Sequence, residues 1–186
     1  MIKRILTLTF TAGTLLLCSS ISKPMKTFYD FKVKTIDGKD FDLSSLMGKK
    51  VLVVNTASLC GYTPQYAQLE ELFKTYGGPR FTIIAFPANN FGSQEPGAND
   101  SIEKFCTSKY GVTFQMMAKI SVKGPDMAPL YKWLTEKSEN GVQDAPVMWN
   151  FQKFMIDKDG HWAGVAMSKE SPLDPQIINW IKNGDE

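Results

Sequence analysis

The sequence predicts an α/β domain with a mixed central sheet and flanking helices, and three patterns carry that prediction. Between Val51 and Phe86 a strand, a helix and a second strand follow one another, which is the order of a right-handed βαβ unit. A hairpin pattern precedes this unit, and a second hairpin pattern follows it near the end of the chain. The full order of strands and helices is typical of α/β folds.

The N-terminal hairpin is expected over two short alternating segments. Residues 31–36 alternate apolar and polar side chains, Asp37-Gly38 forms a tight turn, and residues 39–43 return along the first strand. The continuous apolar run from Val51 to Val54 follows, and such a run is typical of a central strand.

A helix should link this central strand to the next one. We predict it over Pro64–Tyr76, with Thr63 as the N-cap and Pro64 in the first turn. Glycine and proline at positions 77–79 end the helix, and Phe81–Phe86 forms the second strand of the βαβ unit.

The remaining elements are expected from caps, hydrophobic spacing and turn residues. In chain order they are a helix capped by Asp100 and ending near Tyr110, a short strand over Ile120–Val122, a helix over Ala128–Glu136, hairpin strands over Phe151–Ile156 and His161–Ala166, and a last helix over Asp174–Lys182.

The first 22 residues predict a signal peptide, and residues 23–186 read as one domain. Lys3 and Arg4 precede a mostly apolar run of about 13 residues, too short for a membrane span. We therefore expect export, to a bacterial periplasm or cell envelope. The segment Leu15–Ser19 also resembles a lipoprotein signal ending before Cys18, so a lipid tether to the membrane is an alternative to plain cleavage.

Composition excludes several classes of function. Once residues 1–18 are removed, basic and acidic side chains are equal in number, so no nucleic-acid-binding face is expected. The single histidine, His161, leaves no cluster for a zinc site and a poor partner for a cysteine protease. No glycine-rich nucleotide loop is present, and we expect neither a metal nor a cofactor.

Cys60 is the residue most suggestive of chemistry. It follows a predicted buried strand and precedes a predicted helix N-terminus. Unpaired backbone N–H groups and the positive end of the helix dipole stabilise a thiolate at such a position. Because the thiolate is the nucleophilic form of cysteine, the position predicts redox chemistry.

Three segments combine polar and aromatic residues in otherwise hydrophobic surroundings. They are Asn55–Thr63, Phe86–Gly97 and Trp149–Phe154. In order and spacing they resemble the signature blocks of the glutathione peroxidase family, and the resemblance extends over about residues 26–182. It implies a thioredoxin fold with a central mixed sheet, an N-terminal β-hairpin extension and flanking helices.

The resemblance also implies the roles of individual residues. Cys60 matches the peroxidatic cysteine, which is selenocysteine in some members, and Gln94, Trp149 and Asn150 match its supporting residues. Their amide and indole N–H groups can donate hydrogen bonds to a thiolate or to a leaving oxygen. The implied activity is reduction of hydrogen peroxide and of organic or lipid hydroperoxides through a cysteine sulfenic acid that thiols regenerate.

Cys106 is the candidate resolving thiol, because Cys60 and Cys106 are the two cysteines of the mature chain. Thioredoxin-dependent members commonly carry this cysteine eight residues before a proline. Here Cys106 lies nine residues before Gln115, which replaces that proline, so it can face another way on its helix. A buried core cysteine and a permanent Cys60–Cys106 disulfide are the two alternatives.

Partners and assembly follow from the same resemblance. The chain has only two arginines, Arg4 and Arg80, which favours a thioredoxin-like protein over glutathione as the reductant. The stretch between Trp133 and Trp149 is shorter than in tetrameric members, which favours a monomer. The alternative function is an exported thioredoxin-like disulfide-exchange protein or redox carrier, although Cys60–Thr63 lacks the usual second cysteine.

Overall fold

The structure, a computed structural model, describes residues 25–183. Its strands are β1 Lys32–Lys34, β2 Asp40–Asp42, β3 Lys50–Thr56, β4 Phe81–Pro87, β5 Gln115–Met116, β6 Lys153–Ile156 and β7 Trp162–Ala166. Its α-helices are α1 Gln65–Tyr76, α2 Asn99–Tyr110, α3 Pro129–Thr135, α4 Lys137–Asn140 and α5 Pro175–Lys182. Two 3-10 turns, Phe28–Asp30 and Leu43–Leu46, flank the first hairpin. The predicted signal segment and Cys18 lie outside the described residues.

The central sheet has five strands in the order β5-β4-β3-β6-β7. Strand β3 pairs in parallel with β4 and antiparallel with β6, so the predicted mixed α/β sheet is confirmed. All seven residues of β3 are buried, as expected for a strand with neighbours on both sides. The predicted N-terminal hairpin forms a separate two-stranded sheet, β1 with β2.

Alternate residues of β3 belong to two hydrophobic layers, one on each face of the sheet. Val51 and Val53 belong to the layer that packs with α3, and Leu52 and Val54 belong to the layer that packs with α1, α2 and α5. This alternation is the side-chain period of a strand. Both faces of the sheet are therefore covered, and its strand ends are the places left for a site.

Two predicted helix starts are wrong by a short distance. Helix α1 begins at Gln65 with Pro64 at the N-cap, and Thr63 is not the cap because its hydroxyl bonds to the preceding loop. Helix α2 begins at Asn99, so Asp100 lies inside the first turn instead of capping it. Asp174 does cap α5, where its carboxylate accepts a hydrogen bond from the Gln176 backbone.

The predicted strand over Ile120–Val122 is also wrong. The Ile120 N–H donates to the carbonyl of Pro87, the last residue of β4, at 3.0 Å. The Val122 N–H donates instead to the side-chain Oδ1 of Asn90 at 2.9 Å, so the segment makes one backbone bond to β4 and no strand ladder follows. The edge strand is β5, which has two residues. Within residues 25–183, no helix has the length and apolar character needed to cross a bilayer.

Candidate active site

Cys60 lies in the loop between β3 and α1, beyond the carboxyl end of β3. The neighbouring parallel strand β4 ends at the same edge, because Thr56 pairs with Pro87. Ligands of open α/β sheets usually bind at this edge. The Cys60 side chain is 7% exposed and its thiol is free, so a small face of the residue is open to the site.

The Thr63 hydroxyl holds the Cys60 loop in shape. Its Oγ1 accepts a hydrogen bond from the Cys60 N–H at 3.0 Å and lies within donating distance of the Ala57 and Cys60 carbonyls, at 2.9 and 2.7 Å. The Thr63 N–H also donates to the Cys60 carbonyl. A single buried side chain thereby closes the turn around the thiol.

The tight turn points a backbone donor at the sulfur. The Tyr62 N–H donates to Cys60 Sγ at 3.4 Å, within hydrogen-bond distance of a sulfur acceptor. Helix α1 begins five positions after Cys60, so the nearest N–H donor belongs to the turn and not to the helix that the sequence predicts.

Gln94 and Asn150 meet beside this loop although they are far apart in the chain. Asn150 Nδ2 donates to Gln94 Oε1 at 3.0 Å, and Asn150 is fully buried. The Leu59 N–H donates to the Gln94 carbonyl at 3.0 Å, which joins the Gln94 segment to the residue preceding Cys60. The Gln94 amide also carries two N–H groups on Nε2, which can donate to a further acceptor.

Trp149 lies at the rim of the site and not in the core. It is 38% exposed, and its ring contacts the Phe91 ring at a centroid distance of 5.5 Å. Asn55 holds the Trp149 segment, because Asn55 Nδ2 donates to the Trp149 carbonyl at 3.1 Å and the Phe151 N–H donates to the Asn55 carbonyl at 2.6 Å. Phe151 has a φ of 66°, an unusual conformation for a bulky residue that these contacts maintain.

The sequence alone does not mark Asn55 and Thr63 as site residues. Both hold other site segments in place through side-chain hydrogen bonds. Asn55 carries one sequence signal of such a role, because it is a polar residue at the end of an apolar strand. The structure buries it fully. A buried amide needs partners, and here one partner is the Trp149 carbonyl.

A pocket of about 510 Å³ opens between two segments of the site. It is lined by Tyr62, Met148, Trp149, Met167, Ser168 and Lys169. Four of these six side chains are large and apolar or aromatic, and each of the four is at least partly exposed. The pocket therefore has apolar walls and one cationic side chain, Lys169.

Cys106 is in a different environment. It lies in α2, is 0% exposed and has a free thiol, so the two thiols are not joined in this structure. Burial raises the pKa of the Cys106 thiol to about 11; a hydrogen bond with Tyr66 lowers this pKa, and the charge of Glu95 raises it. In the folded state Cys106 is therefore protonated at neutral pH.

His161 does not approach Cys60. Ile156 pairs with Val51 at the amino end of β3. The β6–β7 turn that leads to His161 therefore lies at the end of the strands opposite the Cys60 loop. The His161 side chain is exposed and lies 3.5 Å from the Asp157 carboxylate. A cysteine–histidine pair of the protease type is excluded for these two residues.

The chain matches a family profile described as glutathione peroxidase over residues 28–135. It is 47% identical over 137 residues to a glutathione peroxidase-like peroxiredoxin of Schizosaccharomyces pombe, covering 73% of this chain and 85% of the relative. It is 44% identical over 158 residues to a glutathione peroxidase homolog of Bacillus subtilis, covering 84% of this chain and 99% of the relative.

Solved structures agree with these relatives. The crystal structure of Trgpx in its apo form matches with a TM-score of 0.66 and 37% identity, covering 87% of this chain and 99% of that one. A thiol:disulfide interchange protein of the thioredoxin family from Chlorobium tepidum matches with a TM-score of 0.61 at 21% identity, covering 86% and 97% of the two chains. At that identity the second match shows only that the fold is shared, and the fold is the thioredoxin fold.

Proposed function

The chain belongs to the glutathione peroxidase family, and from this premise we propose that Cys60 is the peroxidatic residue and that Gln94, Trp149 and Asn150 support it. The protein is a thiol peroxidase, an enzyme that reduces hydroperoxides at the expense of thiols. The observation that supports the residue assignment is the Asn150–Gln94 hydrogen bond beside the Cys60 loop, where a backbone N–H is directed at the Cys60 sulfur.

The reaction needs only sulfur chemistry. The Cys60 thiolate attacks one peroxide oxygen, an S–O bond forms as the O–O bond breaks, and the other oxygen leaves as water or an alcohol after taking a proton. Cys60 is oxidised to a sulfenic acid and the peroxide is reduced. A second thiol condenses with the sulfenic acid, releasing water and forming a disulfide, which a further thiol reduces.

The donors near Cys60 suit both charged stages of this reaction. The Tyr62 N–H is directed at the Cys60 sulfur, which carries the charge before the attack. The N–H groups of the Gln94 amide and the indole N–H of Trp149 are neutral donors, which can stabilise charge on the leaving oxygen without a fixed counter-ion. Asn150 fixes the orientation of Gln94 through their 3.0 Å hydrogen bond.

The pocket supports organic hydroperoxides as substrates in addition to hydrogen peroxide. Its walls from Met148, Trp149 and Met167 offer an apolar surface beside the Cys60 loop. An alkyl chain on such a surface is removed from water, which contributes about 0.8 kcal/mol per buried CH₂ group. One relative, from Synechocystis, is described as a hydroperoxy fatty acid reductase.

We propose a thioredoxin-like protein as the reductant in preference to glutathione. Two carboxylates of glutathione would need cationic partners, and Lys169 is the only cation that lines the pocket. A protein thiol needs an exposed approach to Cys60, and the exposed Leu59, Tyr62 and Met148 provide an apolar contact surface there.

We also propose that Cys106 resolves the Cys60 sulfenic acid. Its support is that both thiols are free and that no other cysteine lies within residues 25–183. Because Cys106 is fully buried in α2, this step requires part of α2 to open so that the two sulfur atoms can meet. Peroxide-treated enzyme in which Cys106 is still alkylated after denaturation would contradict this role.

Export, lipidation and assembly are further proposals. Residues 1–22 act as a signal peptide, with Cys18 lipidated in the alternative outcome, and the mature domain works as a monomer in a bacterial periplasm or cell envelope. Mass spectrometry of the mature N-terminus distinguishes cleavage after the signal from lipidation of Cys18. Light scattering of the mature protein tests the monomer.

The function is tested by steady-state turnover of hydroperoxides by residues 23–186 with thioredoxin or glutathione as the reductant. We expect turnover with thioredoxin, and we expect Cys60→Ser to abolish it. Activity retained by Cys60→Ser would overturn the assignment of the peroxidatic residue. Disulfide exchange without peroxide reduction would favour the alternative carrier, although the Cys60–Thr63 segment has no second thiol for such exchange.

A further inference from the structure

Lys153 is a fully buried lysine close to the candidate site. It is 0% exposed and lies on β6, three positions after Asn150, where it pairs with Val54 on one side and with Ala166 on the other. Its Nζ donates to the Glu170 carbonyl at 2.5 Å and lies 3.5 Å from the Met167 carbonyl. The buried amine therefore binds the turn that follows β7.

This turn, residues 167–170, is held from the protein interior at a second point. The buried Gln65 side chain donates through Nε2 to the Ser168 carbonyl at 2.8 Å. Within the turn, the Met167 N–H donates to Glu170 Oε2 at 2.7 Å and the Glu170 N–H donates to the Met167 carbonyl at 3.0 Å. Two interior donors thus fix the position of a short surface segment.

The same turn is one wall of the pocket. Met167, Ser168 and Lys169 line it together with Tyr62 and Trp149. The Tyr62 N–H that reaches Cys60 Sγ belongs to the Cys60 loop, which Thr63 holds independently of Lys153. A shift of the turn would therefore change the pocket wall while leaving the hydrogen bonds around the thiol in place.

A lysine in this position is costly to the fold. Burial lowers the pKa of Lys153 to about 7, although the charge of the Glu170 carboxylate raises it. An apolar side chain of similar length would fill the space without that cost. The amine satisfies two backbone carbonyls in one turn, and both its charged and neutral forms carry enough N–H groups to do so.

We propose that Lys153 is a positioning residue that sets the pocket wall formed by residues 167–170 and thereby determines how well large organic hydroperoxides are bound. This inference rests on the peroxidase function proposed above. Hydrogen peroxide makes no use of an apolar wall, so its reduction should depend little on Lys153.

The test compares Lys153→Met with Lys50→Met. Methionine keeps an unbranched side chain and removes the donors. Lys50 is the matched control, because it is also buried and also donates to backbone carbonyls, those of Trp180, Ile181 and Asn183, at the opposite end of β3. KM and kcat are measured with linoleic acid hydroperoxide and with hydrogen peroxide, using the reductant that supports the wild-type enzyme.

For Lys153→Met we expect KM for linoleic acid hydroperoxide to rise about tenfold, with kcat/KM for hydrogen peroxide changed less than about twofold. Lys50→Met should leave both substrates unchanged. Equal losses with both substrates, or no change with either, would overturn the inference. If Lys153→Met does not fold, Gln65→Met takes its place, because it removes the other interior donor. Gln65→Met must then raise KM for linoleic acid hydroperoxide and leave kcat/KM for hydrogen peroxide little changed, or the inference fails.

The same experiment separates this inference from the function on which it rests. A wild-type protein that reduces neither peroxide contradicts the proposed function. A wild-type protein that reduces both, together with a Lys153→Met variant that shows no difference between substrates, contradicts only the role of Lys153.

Discussion

Among single residues, Thr63 links the backbone on both sides of Cys60. Its buried hydroxyl accepts from the Cys60 N–H and lies within donating distance of the Ala57 carbonyl, so it fixes the loop from which the Tyr62 N–H reaches the sulfur. The reactivity of the thiol should therefore depend on a hydroxyl that never contacts the peroxide.

Thr63→Val tests this dependence. Valine keeps the shape and removes the hydrogen bonds, so we expect the rate of Cys60 oxidation by hydrogen peroxide to fall about tenfold or more and the free energy of unfolding to fall by about 1–2 kcal/mol. Stopped-flow measurement of the oxidation and urea denaturation give the two values.

Thr135→Val is the matched control for that change. Thr135 is buried and its hydroxyl donates to the Tyr131 carbonyl at 2.7 Å within α3, so the variant should lose stability and keep the oxidation rate. Equal rates in wild type and Thr63→Val would show that the loop keeps its shape without the hydroxyl.

Cys106 provides a second prediction for a single side chain. With its pKa raised to about 11, its thiolate fraction at pH 8 is about two hundredfold lower than in an unfolded chain, where a cysteine has a pKa of about 8.5. In reduced Cys60→Ser protein starting at residue 23, we expect iodoacetamide to modify Cys106 at least about a hundredfold faster in 8 M urea than in buffer. Similar rates in the two solutions would mean that α2 exposes Cys106 before oxidation.

The residues proposed for the site can be named from the sequence, because the resemblance rests on three local blocks. The structure brings Gln94 and Asn150 together and puts Trp149 at the rim. The roles of Asn55 and Thr63 could not be predicted, because each depends on which carbonyl or N–H group lies opposite a polar side chain after folding. That information is held in the tertiary structure and not in the spacing of residues.

Among the elements, α1 is joined to the segment after α2 by a buried carboxylate. Glu70 is 3% exposed, and its two oxygens accept hydrogen bonds from the Thr113 N–H at 2.8 Å and the Thr113 hydroxyl at 2.7 Å. Lys74, one turn later in α1, lies 3.4 Å from the same carboxylate. This contact ties the helix that follows Cys60 to the approach of β5.

Glu70→Ala should destabilise the domain without altering the chemistry. It leaves the Thr113 N–H without this acceptor, so we expect the free energy of unfolding to fall by about 2–3 kcal/mol. The adjacent Glu71 is exposed, and Glu71→Ala should change stability by less than about 0.5 kcal/mol. Denaturation curves measure both, and an equal effect of the two variants would contradict a role for the Glu70 contact.

Elements with clear periodicity or a strong turn signal are predicted well, including the short N-terminal hairpin, whereas β5 is not. The sequence shows the apolar runs of β3 and β4 and the residues that end the helices. The predicted bounds of those elements therefore differ from the observed ones by a few residues at most. Strand β5 has two residues, which is too short for any pattern. The segment Ile120–Val122 has the composition of a strand, but it makes one backbone hydrogen bond to the last residue of β4 and its next N–H donates to the Asn90 side chain. Hydrogen-bond partners, not propensity, decide such segments.

For the whole molecule, stability should respond to pH through Lys153. The folded state lowers the pKa of this amine from 10.5 to about 7, so between these values the unfolded chain binds more protons than the folded one. Stability contributed by this group therefore rises as pH increases from about 7 to 10, at up to about 1.4 kcal/mol per pH unit.

The measurement is the free energy of unfolding of wild type and Lys153→Met from urea titrations between pH 7 and pH 10. Other ionisable groups are common to both proteins and cancel in the difference. We expect wild type to gain on the variant as pH rises. A constant difference, or one that moves the other way, would mean that Lys153 is protonated over the whole range in the folded state.

The Cys60 loop lies at one end of the central strands only, which leaves the other end open to protein engineering. The Cys60 loop lies beyond the carboxyl ends of β3 and β4, whereas Gly78-Pro79 precedes Phe81 at the amino end, about 20 Å away along a seven-residue strand. A fluorescent protein inserted between Gly78 and Pro79 would be carried away from the reacting sulfur. A reporter placed there would leave the approach of substrate to Cys60 unobstructed.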